Sequence, residues 1–321
     1  MGTASTMACI AEALGMTVPG GASPPAVTAD RIRVAEETGA RAVQMARDRL
    51  TIDKILTPEA FENAMRVLLA IGGSTNGIVH LAAIAGRVGL DIDMEALDRM
   101  GRQTPVLLDL KPSGQHYMED FHHAGGMATL LRELKPLLHL DAMTVTGRTL
   151  GEELDAQGPG FAQDVVRPFS NPIYPQGGIA VLRGNLAPGG AIIKQSAADA
   201  KLMEHEGRAV VFENAADLAL RIDSEGLDVR ADDILVLKNI GPKGAPGMPE
   251  AGYLPIPIKL AKAGVKDMVR ISDGRMSGTA YGTIVLHVTP ESAVGGPLAY
   301  VRNGDRIRLS VSQREIKLLI S

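Results

Sequence analysis

Gly177–Lys194 reads GGIAVLRGNLAPGGAIIK, and the texture of the chain changes there. Two short aliphatic runs, Ile179–Arg183 and Ala191–Lys194, flank an Asn/Pro/Gly turn, the pattern of paired strands. Downstream, GRAVVFE (residues 207–213) and DILVLKN (residues 233–239) supply further strand segments. Only Ala215–Arg221 and Ile256–Ala263 read as helices beyond this point. The closing LAYVRNGDRIRLSVSQREIKLLI predicts three strands, with Asn303-Gly304-Asp305 turning the first pair. Alternation in Arg306-Ile307-Arg308-Leu309 marks one of them as half-buried.

Upstream, helices dominate. Cap residues in Gly2–Thr6 precede Met7, Ile10, Ala11 and Leu14 at helical spacing, and Gly15 ends that helix. Opening on a helix already inside a domain predicts a chain that lacks residues upstream. Thr28 caps a helix over Ala29–Arg49, whose apolar side is Ile32, Val34, Ala35, Ala42, Val43 and Ala46. Thr57-Pro58 starts another over Pro58–Ala70, because proline at the first helical position loses no hydrogen bond. Helices over Gly77–Val88 and Asp93–Arg102 follow, then an extended run at Pro105–Leu110. Thr149-Leu150-Gly151-Glu152 has the capping-box form for one more helix. The fold expectation is α/β: an incomplete helix-rich α/β part over residues 1–165, then a β-rich, swivelling-barrel-like domain over 166–321.

Composition narrows the function classes. The 321 residues carry a net charge of −4, with five Phe, five Tyr and no Trp. A nucleic-acid partner needs a basic stripe with stacking aromatics, and neither is present. No apolar run approaches the roughly 20 residues that span a membrane. One cysteine, Cys9, excludes an internal disulfide framework and argues for a reducing, cytoplasmic setting. Its preferred reading is a small buried apolar residue.

Four stretches concentrate polar or reactive groups. Ile271–Gly282, ISDGRMSGTAYG, places a carboxylate, a guanidinium, three aliphatic hydroxyls and a phenol among three glycines. Strand-like runs at Val265–Val269 and Thr283–Val288 flank it, which is a hairpin signal. A simple connection needs far fewer residues, so the loop reads as a catalytic edge. Lys238–Gly252, KNIGPKGAPGMPEAG, is a second polar loop; it lacks the Gly-Lys-Ser/Thr end of a Walker A phosphate loop. Helical spacing in PSGQHYMEDFHHAGG brings His116, Glu119, Asp120 and His123 together as a metal site, or else they are surface polar residues at a helix end. Gly72–Asn76 reads either as an anion-holding helix start or as a plain cap.

Six stretches in order carry a family resemblance: MGTASTMACIAEALGMTVPG, GGSTNGIVHLAAIA, PSGQHYMEDFHHAGG, GGIAVLRGNLAPGGAIIK, GPKGAPGMPEAG and ISDGRMSGTAYGTIVLHVTPESAVGGPLA. The chain resembles the dihydroxy-acid and sugar-acid dehydratases, iron–sulfur lyases that convert 2,3-dihydroxy acids to 2-keto-3-deoxy products. The resemblance implies Ser277 as the base for the C2 proton, with Thr279 orienting it or a substrate hydroxyl. It implies Glu250 as a ligand of Mg²⁺, and Arg275, Asn76 and His80 as substrate-binding residues. The implied cofactors are an iron–sulfur cluster, of the 2Fe-2S rather than the 4Fe-4S type, and Mg²⁺. No iron–sulfur ligand lies in this chain, since the family uses three cysteines and Cys9 matches none of their positions. The family's remaining Mg²⁺ ligands are also missing, which predicts a fragment that is inactive alone. The implied partner is a small polyhydroxy acid, with neither nucleic acid nor membrane, and the full-length protein is expected to be a homo-oligomer.

The loop RMSGTAYGT differs from the RFSGG-type loop associated with branched-chain biosynthesis, which favours sugar acids such as arabinonate or xylonate. Dihydroxy-acid dehydration in branched-chain biosynthesis is the runner-up. The reading from another class is a non-catalytic fragment that serves only in binding or assembly.

Overall fold

The computed structural model describes residues 1–158, 160–250 and 254–319. It divides into two compact units, Met1–Gly178 and Ile179–Ser321. The expected division falls after residue 165. Residues 166–178 are held by the first unit: Ile173 N–H donates to Val106 O, Gly177 N–H to Gly101 O and Gly178 N–H to Leu69 O.

The first unit contains α1 (Thr3–Ala13), α2 (Ala29–Asp48), α3 (Pro58–Ala70), α4 (Asn76–Arg87), α5 (Met94–Gln103), α6 (Met118–His123), α7 (Gly126–Leu134) and α8 (Leu150–Ala156). Helix α3 is its hub. Thr57 Oγ1 accepts the Ala60 N–H, Pro58 occupies the first turn, and Phe61, Ala64, Val67, Leu68 and Leu69 are buried. Helix α1 packs on α3 and α4. The Pro105–Leu110 run pairs only through isolated bridges, among them Val106 with Tyr174 and Leu108 with Val166. Among the described residues no helix is long and apolar enough to cross a membrane.

Helix α2 departs from expectation. No residue in it is buried, and Ile32 and Val43 of its anticipated apolar side are 67% and 53% exposed. Polar ties hold it instead: Arg31 Nη1 donates to Gly21 O at 2.9 Å, and Arg41 Nε donates to Val145 O. Arg49 closes it in the left-handed conformation at φ 53°.

Glu12 of α1 is 6% exposed, and its carboxylate accepts the N–H groups of Gly20 at 2.7 Å and Ala22 at 2.9 Å. Burial outweighs these two donors and raises the carboxyl to about 7. The folded unit therefore holds a proton that the unfolded chain has already lost between its ordinary value of 4.5 and about 7. Stability from this group is present below that window and is lost as pH rises through it. Protection of α1 amides against hydrogen exchange is expected to fall by about 3 kcal/mol from pH 4.5 to pH 8 through this group. Glu12→Gln should flatten that dependence; equal slopes for both proteins would sink the assignment.

The second unit is a closed eight-stranded barrel. Its strands are β1 (Ala180–Gly184), β2 (Ala187–Ile193), β3 (Glu204–Phe212), β4 (Ile234–Leu237), β5 (Arg270–Ser272), β6 (Ile284–Thr289), β7 (Arg306–Ser310) and β8 (Glu315–Leu319), with helices α9 (Ala215–Arg221) and α10 (Ile258–Lys262). Neighbours run β1-β2-β6-β5-β4-β3-β7-β8. The β3-β4, β4-β5 and β5-β6 pairs are parallel. Alternation sorts side chains into two sets. Leu182, Ile193, Val211, Val236, Ile271, Val285, Ile307 and Ile316 form one core, while Phe212, Leu235, Leu237 and Leu286 join Leu218 and Ile222 in another.

Three expectations change here. Val265–Val269 is not a strand; β5 begins at Arg270. Pro297–Tyr300 is a 3-10 turn, so the end of the chain supplies two strands rather than three. The hairpin signal around Ile271–Gly282 is also overturned, because β5 and β6 are parallel. Parallel neighbours cannot be joined by a tight turn, so the chain must return to the starting end of the sheet. The crossing explains the length of the Asp273–Thr283 loop.

Candidate active site

Two loops of the barrel unit carry most of the candidate residues: Lys238–Glu250, as far as it is described, and Asp273–Thr283. Buried carboxylates fix both. Asp273, 1% exposed, accepts the N–H groups of Asn239 at 3.2 Å, Ile240 at 3.1 Å and Ser292 at 2.8 Å. Glu291 accepts the N–H groups of Lys243 at 2.8 Å and Gly244 at 3.0 Å. A Cβ on Gly241 would sit 2.4 Å from Glu291 Oε2, so this loop needs glycine to close on the carboxylate.

The return of the second loop into β6 rests on a buried ion pair. Arg270, 1% exposed, donates to Asp267 Oδ1 at 2.7 Å and to the carbonyls of Leu254 at 3.1 Å and Tyr281 at 3.0 Å. Asp267 Oδ2 accepts the N–H of Thr283 at 2.7 Å and its hydroxyl at 2.8 Å. Gly282 has φ +117°, and a Cβ there would lie 2.0 Å from Arg270 Nη2. Only glycine meets both demands.

On this frame Ser277 and Thr279 come together. Their hydroxyls are 2.8 Å apart, and the Thr279 N–H points at Ser277 Oγ from 3.3 Å. With Ser277 as acceptor, two donors aim at one oxygen, the arrangement that stabilises negative charge there. Ser277 is half-buried and Thr279 exposed. Arg275 Nε donates to Met248 O at 2.6 Å, which joins the two loops. Glu250 lies exposed two residues beyond Met248.

Asn76 and His80 lie in the other unit. Asn76 opens α4, buried, with Nδ2 donating to Thr3 Oγ1 at 3.1 Å and its N–H to Ser74 Oγ at 3.2 Å. His80 lies one turn further on and lines an open pocket of about 410 Å³ with Met7, Ala83, Ile84 and Arg87.

The histidine-rich stretch does not assemble a metal site. His116 precedes α6 instead of lying on it, and stands 3.9 Å from Asp109 and 4.0 Å from Asp120. His122 turns to Asp30 at 3.2 Å. Among the described residues no three His, Cys, Asp or Glu side chains are grouped to hold a metal. Cys9 is fully buried, and burial raises its thiol well above the ordinary range. One buried thiol does not fit a cluster, and the exposed Glu250 alone does not make a magnesium site.

Motif reading passed over two groups beside the loops. Lys194, at the end of β2, is 8% exposed. His287 sits at φ +56° where the β2-β6 register shifts, and its N–H donates to Gly274 O at 3.1 Å. Among the described residues neither ring nitrogen has a partner, both are shut off from solvent, and burial together with Arg275 lowers the imidazole to about 4. A bulge re-aims a side chain in this way, but no residue type in HVTPE announces one.

Comparison with known proteins divides the chain earlier than the two compact units do. The family model described as dihydroxy-acid/6-phosphogluconate dehydratase N-terminal matches residues 1–153, and its C-terminal counterpart matches residues 164–321. L-arabonate dehydratase of Azospirillum brasilense is 52% identical over 98% of this chain and 54% of its own length. L-arabinonate dehydratase of Rhizobium leguminosarum is 52% identical over 97% of this chain and 54% of its own. Dihydroxy-acid dehydratase of Methanothrix thermoacetophila is 42% identical over 99% of this chain and 58% of its own. The chain spans about half the length of the curated relatives it matches.

Proposed function

The chain belongs to the dihydroxy-acid/6-phosphogluconate dehydratase family, and from that premise we propose that it is part of a hydro-lyase acting on a 2,3-dihydroxy acid. The substrate is a sugar acid such as arabinonate or xylonate, and the product a 2-keto-3-deoxy acid. The carrying observation is the convergence of the Thr279 hydroxyl and N–H on Ser277 Oγ. A serine oxygen is a poor base near neutral pH unless negative charge on it is stabilised, and these donors do that. Ser277 Oγ, as the alkoxide, takes the proton from C2, and the electron pair of the broken C2–H bond forms the C2–C3 double bond as the C3–O bond breaks. The departing hydroxide takes the proton held by Ser277 and leaves as water, and the enol loses its hydroxyl proton to become the ketone as C3 gains one. Arg275 is assigned to the polar substrate beside Ser277, and Asn76 and His80, in the other unit, are assigned to substrate binding on the family resemblance alone. The resemblance implies a 2Fe-2S cluster and Mg²⁺, with Glu250 offering one oxygen to the latter. The described residues of this chain complete neither site.

The sugar-acid assignment is supported by RMSGTAYGT at the loop and by the 52% identity to two arabinonate dehydratases, against 42% to a dihydroxy-acid dehydratase. Its test is turnover of L-arabinonate against 2,3-dihydroxy-isovalerate by the protein at the length of its relatives. Arabinonate is expected to be the better substrate by about tenfold or more, a difference of at least 1.4 kcal/mol in transition-state binding. A reversed order would move the enzyme to the branched-chain reading. We place the enzyme in the cytoplasm as a homo-oligomer at full length. The 321-residue chain alone is expected to bind no stoichiometric iron or sulfide and to show no turnover, since its one cysteine is buried. That outcome would leave the chain itself as a binding or assembly fragment, and turnover would refute it.

A further inference from the structure

We propose that Lys194 and Ser196 form a carboxylate-binding subsite at the foot of the Ser277 loop. The proposal rests on the reading of that loop as a substrate site and names the part of the substrate held beside it.

Lys194 is 8% exposed, and among the described residues no hydrogen bond or ion pair reaches its ammonium. A second buried lysine in the same unit behaves otherwise. Lys238, 4% exposed, donates to Glu213 Oε1 at 3.2 Å and Ala299 O at 3.0 Å. Lys238 shows how this fold treats a structural lysine. Two residues after Lys194, the Ser196 hydroxyl is also buried with no partner among the described residues. Among the described residues a closed-off hydroxyl thus stands unmatched two residues from a mostly buried ammonium, which is costly unless something else satisfies them.

Their position gives the cost a use. Ile193 pairs with Val285, so Lys194 leaves the sheet where β6 begins. The following residues grip the end of the loop: Gly282 N–H donates to Ala197 O at 3.0 Å, and Asp199 N–H to Thr283 Oγ1 at 3.1 Å. Burial alone lowers the Lys194 ammonium to about 8, and no neighbouring carboxylate offsets it. It remains largely a cation near neutrality. One ammonium and one hydroxyl match the charge and two oxygens of a single carboxylate, and a 2,3-dihydroxy acid carries one. A phosphate dianion would leave most of its acceptors unmet by this pair.

The test uses the protein at the length of its relatives, carrying Ser277→Ala to prevent turnover and labelled with ¹³C at lysine Cε, with the Lys194 signal assigned by its loss in Lys194→Met. L-arabinonate is expected to shift that signal, while L-arabitol, a neutral polyol, leaves it in place at equal concentration. Lys194→Met should weaken arabinonate binding by about tenfold or more, as expected for losing a buried charge partner. The same variant should raise the thermal midpoint, since it removes an unpaired buried charge and keeps the volume; a lysine that serves only structure would lower it. Arabinonate that shifts the backbone amides of residues 273–283 but not Lys194 overturns the subsite and leaves the loop reading standing. If it shifts neither, the loop reading falls and takes the subsite with it. Equal shifts from arabitol would overturn the carboxylate assignment.

Discussion

Asp267→Ala is expected to destabilise the barrel unit by about 3–5 kcal/mol, the range for breaking a buried ion pair from one side. The side chains of Asp267 and Arg270 are 5% and 1% exposed. Removing the carboxylate leaves a buried guanidinium without the negative charge of Asp267. It also strips Thr283 of the acceptor for both its N–H and its hydroxyl. The loss is therefore larger than that of a neutral hydrogen bond, which is about 1 kcal/mol net. Hydrogen exchange at β5 and β6 amides in wild type and variant measures it. Thr283→Val is the milder control, since it keeps the ion pair and loses one hydroxyl. A cost below about 1 kcal/mol for Asp267→Ala would mean that the pair is already relaxed by water.

The second large effect is on chemistry. Ser277→Ala, made in the protein at the length of its relatives, is expected to reduce kcat by about 10²–10⁴-fold, the span of a lost acid–base group. Substrate affinity should change little, because the hydroxyl acts on the C2 proton and does not anchor the acid. Thr279→Ala removes a hydroxyl aimed at Ser277 Oγ but keeps the N–H, so its loss should be smaller. Thr279→Ser should recover most of it. Ser277 is half-buried in a loop, and the substitution should leave stability within about 0.5 kcal/mol. A Ser277→Ala enzyme within tenfold of wild-type turnover would remove Ser277 from the role of base.

Local chemistry makes parts of this fold legible in sequence. Helix α3 spans Pro58–Ala70 as expected because Thr57-Pro58 starts it and a single apolar face sustains it. Helix α8 follows Thr149 because the Thr149–Glu152 capping box is complete within four residues. Ser277 and Thr279 are legible for the same reason: they are two apart, and a loop keeps them together. What depends on distant chain is not legible. Parallel pairing of β5 with β6 cannot be told from a hairpin by alternation alone, since both give the same side-chain pattern. Helix α2 looks amphipathic, yet its surroundings leave it uncovered. Asp273 reads as one of the reactive groups of a catalytic loop, and only the closed barrel makes it a buried anchor; Arg270 and Lys194 carry no signal of their burial in the sequence.

The closure of the barrel bears on how the unit is made. Strands β1 and β8 meet through one residue pair, Arg183 with Glu315, in parallel. The Asn185 side chain strengthens the seam by exchanging hydrogen bonds with the Leu318 backbone, both at 2.8 Å, across a sequence separation of 133 residues. Contacts this distant form slowly, because loop-closure entropy comes before any reward. During synthesis on the ribosome, the outer edge of β1 therefore stays unpaired until Glu315–Leu319 has emerged. Throughout that interval the nascent sheet offers an open edge and an uncovered aliphatic interior, the features that chaperones bind and that seed aggregation.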